Sequence, residues 1–179
     1  MELLTASGSL VIAAARQEIE YLRRRYARAC DLICENTAES IAAGDAIYQR
    51  IFTPDADITV IVGGREVLSA CGPQQWTAMV IDALCGTFLA TQHLIGTQIV
   101  DVHRLPGGDR AGGEASMTSY LQAWHAGEDG TLDIFIGTYH DQVRFTPDVG
   151  WQIQRMRLVR ISGEVRELGG DGEASFLTR

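Results

Sequence analysis

Four side chains have the right types for proton-transfer chemistry: Tyr26, Asp31, His93 and Arg160. His93 opens an extended run, Thr91-Gln92-His93-Leu94-Ile95-Gly96, and an imidazole there can act as a general base near neutral pH. A hydrogen-bonded structural histidine would occupy the same position equally well. Asp31 is a carboxylate that could orient such a histidine and stabilise its protonated form, or simply meet solvent. Tyr26 lies on an apolar stripe, where its phenol could donate to a developing oxyanion or pack as a core tyrosine. Arg160 stands near the end of the last extended run. Strict alternation there groups Gln154, Met156, Leu158 and Arg160 on one face and Ile153, Arg155, Arg157 and Val159 on the other. Arg160 would then share the apolar face and need a carboxylate partner, unless it reaches water at the strand end.

These residues sit on readable elements. Ile19, Leu22, Tyr26, Ala29 and Ile33 recur at spacings of three and four, the signature of an amphipathic helix. At 3.6 residues per turn Asp31 falls roughly opposite that stripe. It meets a pocket lined by Tyr26 only if the helix loosens there or is enclosed on both sides. Asn36, followed three residues later by Glu39, predicts the N-cap of a second helix, which runs out near Thr53-Pro54-Asp55. Ile58 to Val62 and Glu66 to Ser69, joined by Gly63-Gly64, predict a hairpin. Gly72-Pro73 opens a third helix carrying Trp76, Met79, Val80 and Leu84. Four strands follow: Gln92 to Arg104, Gly113 to His125, Leu132 to Phe145 and Trp151 to Gly163. They are separated by turn-rich breaks such as Leu105-Pro106-Gly107-Gly108-Asp109 and Gly127-Glu128-Asp129-Gly130.

The expected architecture is α+β: a curved antiparallel sheet of about six strands, including the short hairpin, wrapped around three helices as a cone with one pocket. A single domain spans 1–179, with its core over about 15–165 and a loose polar tail after Gly169-Gly170. Met156, Leu158, Tyr139 and Trp76 are the expected pocket residues. In Tyr139-His140-Asp141, alternation sends Tyr139 and Asp141 to one side and His140 to the other. His125, beside a glycine-rich turn, reads as a rim residue.

Composition narrows the function classes. The 179 residues carry a formal charge of −8, and every one of the 15 basic residues is arginine. No lysine means no Schiff base and no P-loop. An acidic chain whose basic cluster is Arg23-Arg24-Arg25 is a poor nucleic-acid binder, and those arginines read as a solvated helix face. Cys30, Cys34, Cys71 and Cys85 show no zinc spacing and read as reduced, mostly buried thiols. No metal site and no cofactor are expected. With no membrane-length apolar run, a cytoplasmic protein is the expectation.

The chain also resembles a known group. Tyr26-Ala27-Arg28-Ala29-Cys30-Asp31, Ile51-Phe52-Thr53-Pro54-Asp55-Ala56, Thr91-Gln92-His93 and Gly150-Trp151-Gln152-Ile153, in that order, resemble the SnoaL-like branch of the nuclear-transport-factor-2-like superfamily over roughly residues 15 to 165. The pattern is similar to the bile-acid 7α-dehydratase and scytalone dehydratase types. The resemblance implies that the family's catalytic Tyr and Asp fall on Tyr26 and Asp31, its His on His93, and its strand Arg on Arg160 within Val159-Arg160-Ile161. It implies a cofactor-free elimination or isomerisation beside a carbonyl in a small hydrophobic cyclic compound (a steroid, terpenoid, polyketide or aromatic catabolite). The stretch between Asp31 and Phe52 is longer than the family's usual one. Relatives also include non-catalytic binding proteins and the small subunits of ring-hydroxylating dioxygenases, so a binding protein and a structural subunit stay open. Relatives self-associate, which implies a homo-dimer or trimer.

Overall fold

A computed structural model describes residues 6–107 and 112–167. The expected tail after Gly169-Gly170 and part of the turn at Gly108-Asp109 lie outside the described residues. The elements run α1 (Ala6–Cys34), α2 (Ala38–Ile51), β1 (Phe52–Val62), β2 (Arg65–Cys71), α3 (Gly72–Leu84), β3 (Phe88–Arg104), β4 (Glu114–Gly127), β5 (Thr131–Thr146) and β6 (Gly150–Glu167). This is the expected α+β cone of three helices and six strands.

The strands form one sheet in the order β2-β1-β6-β5-β4-β3. The sheet is mixed rather than wholly antiparallel, because β1 and β6 run parallel. Tight turns force antiparallel pairing only on neighbours in sequence. β1 and β6 are joined through the whole remainder of the fold, so their relative direction is set by packing.

The stripe predicted on α1 is the core: Ile19, Ala29 and Ile33 are fully buried, with Leu22 and Tyr26 nearly so. Asn36 does not cap α2. It takes a left-handed φ of 54° just past α1, a conformation asparagine tolerates better than most residues. Thr37 is the N-cap, and it forms a reciprocal capping box with Ser40. Such a cap contributes about 1 kcal/mol. α2 ends at Ile51, and Thr53-Pro54-Asp55 already belong to β1. The Gly63-Gly64 turn has positive φ at both residues, 58° and 77°, which favours glycine and matches the twist of the flanking strands.

Three irregularities set which residues face inward. In β3 the register against β4 shifts between Gly96 and Ile99, and Thr97 takes a φ of 40°. Bulges bend a strand, so the His93 half and the Val100 half of β3 are aimed separately. In β6 the register against β5 shifts at Gln142/Val143 and again at Ile136/Gly137. The first shift leaves Gln154 as an extra residue. Ile153 is therefore fully buried together with Met156, and Gln154 is exposed, which corrects the strict alternation expected for this strand. Beyond it the expectation holds. Met156 and Leu158 are buried, while Arg155 and Arg157 reach Asp57 at 3.1 and 3.4 Å on the other face.

The Arg23-Arg24-Arg25 run is split. Arg24 bridges to Glu20 at 2.7 Å on the surface. Arg23 has no exposed surface and pairs with the equally buried Asp141 at 2.5 Å, correcting the solvated-face reading. Arg23 stands roughly 60° around the helix from Tyr26 at about 100° per residue, so it points toward the sheet.

Candidate active site

α1 and β3 meet where Asp31 and His93 face each other. Asp31 Oδ1 accepts from His93 Nδ1 at 2.8 Å, with side-chain exposures of 20% and 8%. α1 stays helical through Cys34, so no loosening is needed. Asp31 stands roughly 140° around the helix from Tyr26 at about 100° per residue. Glu20 and Arg24 share that side, and both meet Gln98 of β3. Gln98 Nε2 donates to the Glu20 carbonyl at 2.9 Å, and Arg24 Nε donates to Gln98 Oε1 at 3.0 Å. One side of α1 therefore lies on β3 while its stripe faces the core. The helix is enclosed on two sides.

A carboxylate accepts only, so the Nδ1 of neutral His93 carries the proton and Nε2 holds the lone pair. His93 lines a cavity of about 140 Å³ bounded also by Tyr26, Trp76, His125, Phe135, Tyr139 and Leu158. Its remaining lining is aliphatic apart from Met79 and Cys30, and no Asp, Glu or Arg side chain takes part. A basic nitrogen with a fixed tautomer thus borders an apolar chamber.

Tyr26 is nearly inaccessible and sits in an aromatic cluster, with ring centroids 5.4 Å from Tyr48, 5.6 Å from Tyr139, 6.0 Å from Phe52 and 6.4 Å from Trp76. Burial pushes its phenol well above the ordinary range, so Tyr26 keeps its proton and serves as a donor rather than a base. Burial does the same for Tyr139.

Of the expected pocket residues, Trp76, Tyr139 and Leu158 line the cavity. Met156 lies fully buried outside the lining, where its sulfur accepts from Arg23 at 3.3 Å. Arg160 is half-buried. Its guanidinium stands 5.4 Å from the centroid of the lining ring Phe135, and its Nε donates to the Ser162 carbonyl at 3.4 Å. Among the described residues it makes no ion pair with a carboxylate.

His125 is the residue the sequence reading missed. It is 8% exposed, lines the same cavity, and its ring stands perpendicular to His93 with centroids 5.7 Å apart. Its Nδ1 donates to the Asp133 carbonyl at 3.3 Å, and it packs on Phe88 at 4.8 Å. Burial, then the neighbouring His93, hold its pKa below the usual histidine value. Nothing local in the sequence signals this; the register does it, pairing His125 with Thr91, two residues from His93 on the neighbouring strand. Residues two apart on a strand share a face.

Among the described residues, no group of three or more His, Cys, Asp or Glu side chains is arranged to hold a metal ion, and no helix is long and apolar enough to cross a membrane.

The comparisons agree with this architecture. No curated protein matches the chain. Solved structures similar to it include an NTF2-like protein with a cystatin-like fold from Novosphingobium aromaticivorans (21% identity, 99% of this chain and 97% of that one, TM-score 0.63). A hexachlorocyclohexane dehydrochlorinase, LinA type 2, shares the fold at 13% identity over 91% of this chain and 95% of that one, with a TM-score of 0.67. So does a protein assigned as the β subunit of an aromatic-ring-hydroxylating dioxygenase from N. aromaticivorans (16% identity, 85% and 92% coverage, TM-score 0.61). At these identities the likeness is one of fold, and that fold serves both eliminating enzymes and a dioxygenase subunit. Residues 12–157 match the model of the SnoaL-like domain, and the chain belongs to that family.

Proposed function

We propose that this protein is a lyase or isomerase that needs no cofactor and acts beside the carbonyl of a small, neutral, mostly apolar cyclic compound. The observation that carries the reading is the 2.8 Å Asp31–His93 contact at the edge of an apolar cavity. A fully solvated Asp31 would not make that pairing, and His93 itself lines the cavity.

In this reading His93 Nε2 takes the proton α to the carbonyl, and the C–H electrons move into an enolate. Asp31 stabilises the resulting imidazolium and holds its orientation. Tyr26 donates to the enolate oxygen in a site that water does not reach freely. In a dehydration the enolate reforms its carbonyl, the β C–O bond breaks, and His93 returns its proton to the departing hydroxyl as water. In an isomerisation the same proton returns to carbon instead. The absence of any Asp, Glu or Arg among the lining residues favours a neutral substrate. Arg160, stacked on Phe135, is the group that would meet a negatively charged substituent at the edge of the chamber.

A screen of cyclic β-hydroxy ketones and related alicyclic compounds tests the reading. The wild type turns over at least one class, and His93→Ala lowers kcat by about 10²–10⁴, the usual range for a general base, while the protein remains folded. Undiminished turnover in His93→Ala sinks it.

A further inference from the structure

Arg23 and Asp141 are fully inaccessible. Removing two charges from water costs several kcal/mol each, and apolar side chains of similar size fill such a space as well or better. The pair is also incompletely served: Arg23 Nε and Asp141 Oδ2 have no hydrogen-bond partner. Core packing alone gives no reason for it.

Its orientation does. The guanidinium carbon lies 3.7 Å from the Tyr139 ring centroid and 4.5 Å from that of Tyr26, the two cavity-lining phenols. Asp141 is two residues from Tyr139 on β5 and shares its inward side. It holds Arg23 from behind, and Met156 holds the other arm. The positive end of the pair therefore lies against the faces of both phenol rings. Burial pushes both phenols up and Arg23 opposes that push at each; Asp141 works against Arg23 at Tyr139 but does not figure among the main influences on Tyr26.

We propose that Arg23, clamped by Asp141, is a positioning residue that fixes Tyr26 and Tyr139 as an oxyanion cage, so that the cavity binds enolate- or phenolate-like anions in preference to neutral molecules of the same shape. The inference rests on the cavity being the reaction site, as proposed above. Its energetic logic is that a fixed cation a short distance behind two donors costs nothing to reorganise when negative charge appears in front of them.

The probe is 4-nitrophenolate, with 4-nitroanisole as its neutral counterpart, each titrated against the protein at about pH 9, where imidazoles are uncharged. The wild type prefers the phenolate. The Arg23→Met/Asp141→Leu double variant, which removes both charges together and leaves none unpaired, loses roughly tenfold of that preference while its affinity for the anisole holds. Such a loss is of the size a single charge at this range produces at an effective dielectric near 20 after its counter-ion is discounted. If the double variant fails to fold, Arg23→Gln/Asp141→Asn, which removes the same two charges but keeps a polar pair in the same space, decides the matter by the same loss. A preference that survives in the variants, or a wild type without one, overturns the inference. Neither result touches the proton-transfer reading, which is judged by turnover in His93→Ala.

Discussion

A carboxylate that accepts the Nδ1 proton of an imidazole settles the tautomer and helps carry the charge that forms when Nε2 is protonated. Asp31 accepts from His93 Nδ1 from a helix whose stripe faces elsewhere, and in the proposed reaction it would do both. Tyr26, Asp31 and His93 were legible as candidates by residue type and by family resemblance. His125 was legible only as a rim residue beside a glycine-rich turn, and only the β3–β4 register puts it across from Thr91. Arg23 was not legible: neighbouring arginines on one helix look alike until the helix is docked on the sheet. His125 has a consequence for stability. Its folded-state pKa lies below the ordinary value, so the fold favours the neutral ring. That contribution is fully present above about pH 6.5, the unfolded value, and is lost as pH falls through the depressed folded value. Chemical denaturation between pH 8 and 5 should show stability falling with acid, and His125→Phe should flatten that slope. An unchanged slope in the variant would mean that His125 protonates as freely folded as unfolded.

The elements explain which periodic expectations held. On α1 every stripe residue is buried, because an uninterrupted helix keeps its phase for its whole length. On β6 the phase slips at Gln154 and again near Ile161, since a bulge adds a residue without changing the composition. Alternation could not foresee Ile153 and Met156 on one side. The contact between α1 and α2 is closer than either helix's pattern suggests. A Cβ built on Gly44 would stand 2.6 Å from Ile33 Cγ1 and 3.0 Å from the Ala29 carbonyl oxygen. Gly44→Ala therefore costs about 1–3 kcal/mol by overpacking, which outweighs the gain in helix propensity of up to about 1 kcal/mol. Thermal denaturation should show a lower midpoint. A higher one would mean that the helices part at no cost.

At the scale of the whole molecule, the sheet curves over α1 so that β3 brings His93, α1 brings Asp31 and Tyr26, and β5 and β6 bring Tyr139 and Leu158 to one place. The lining carries no full charge, because the charges behind it are paired, as in Arg23–Asp141, or turned outward, as in Arg155 and Arg157 with Asp57. The α+β class was legible from the order of helical and extended runs. The parallel β1–β6 pairing was not, because it depends on how the ends of the chain's core meet rather than on any local signal. The cavity is where these levels converge, and the account depends on one nitrogen within it.

The most direct measurement is the ¹⁵N NMR signature of the His93 imidazole at neutral to mildly alkaline pH, in the wild type and in Asp31→Asn. The account predicts a neutral ring with its proton on Nδ1 and an unprotonated Nε2 in the wild type, and loss of that fixed tautomer in Asp31→Asn. A wild-type ring carrying its proton on Nε2, or one that ignores the loss of the Asp31 carboxylate, would contradict the claim that His93 presents a base to the cavity.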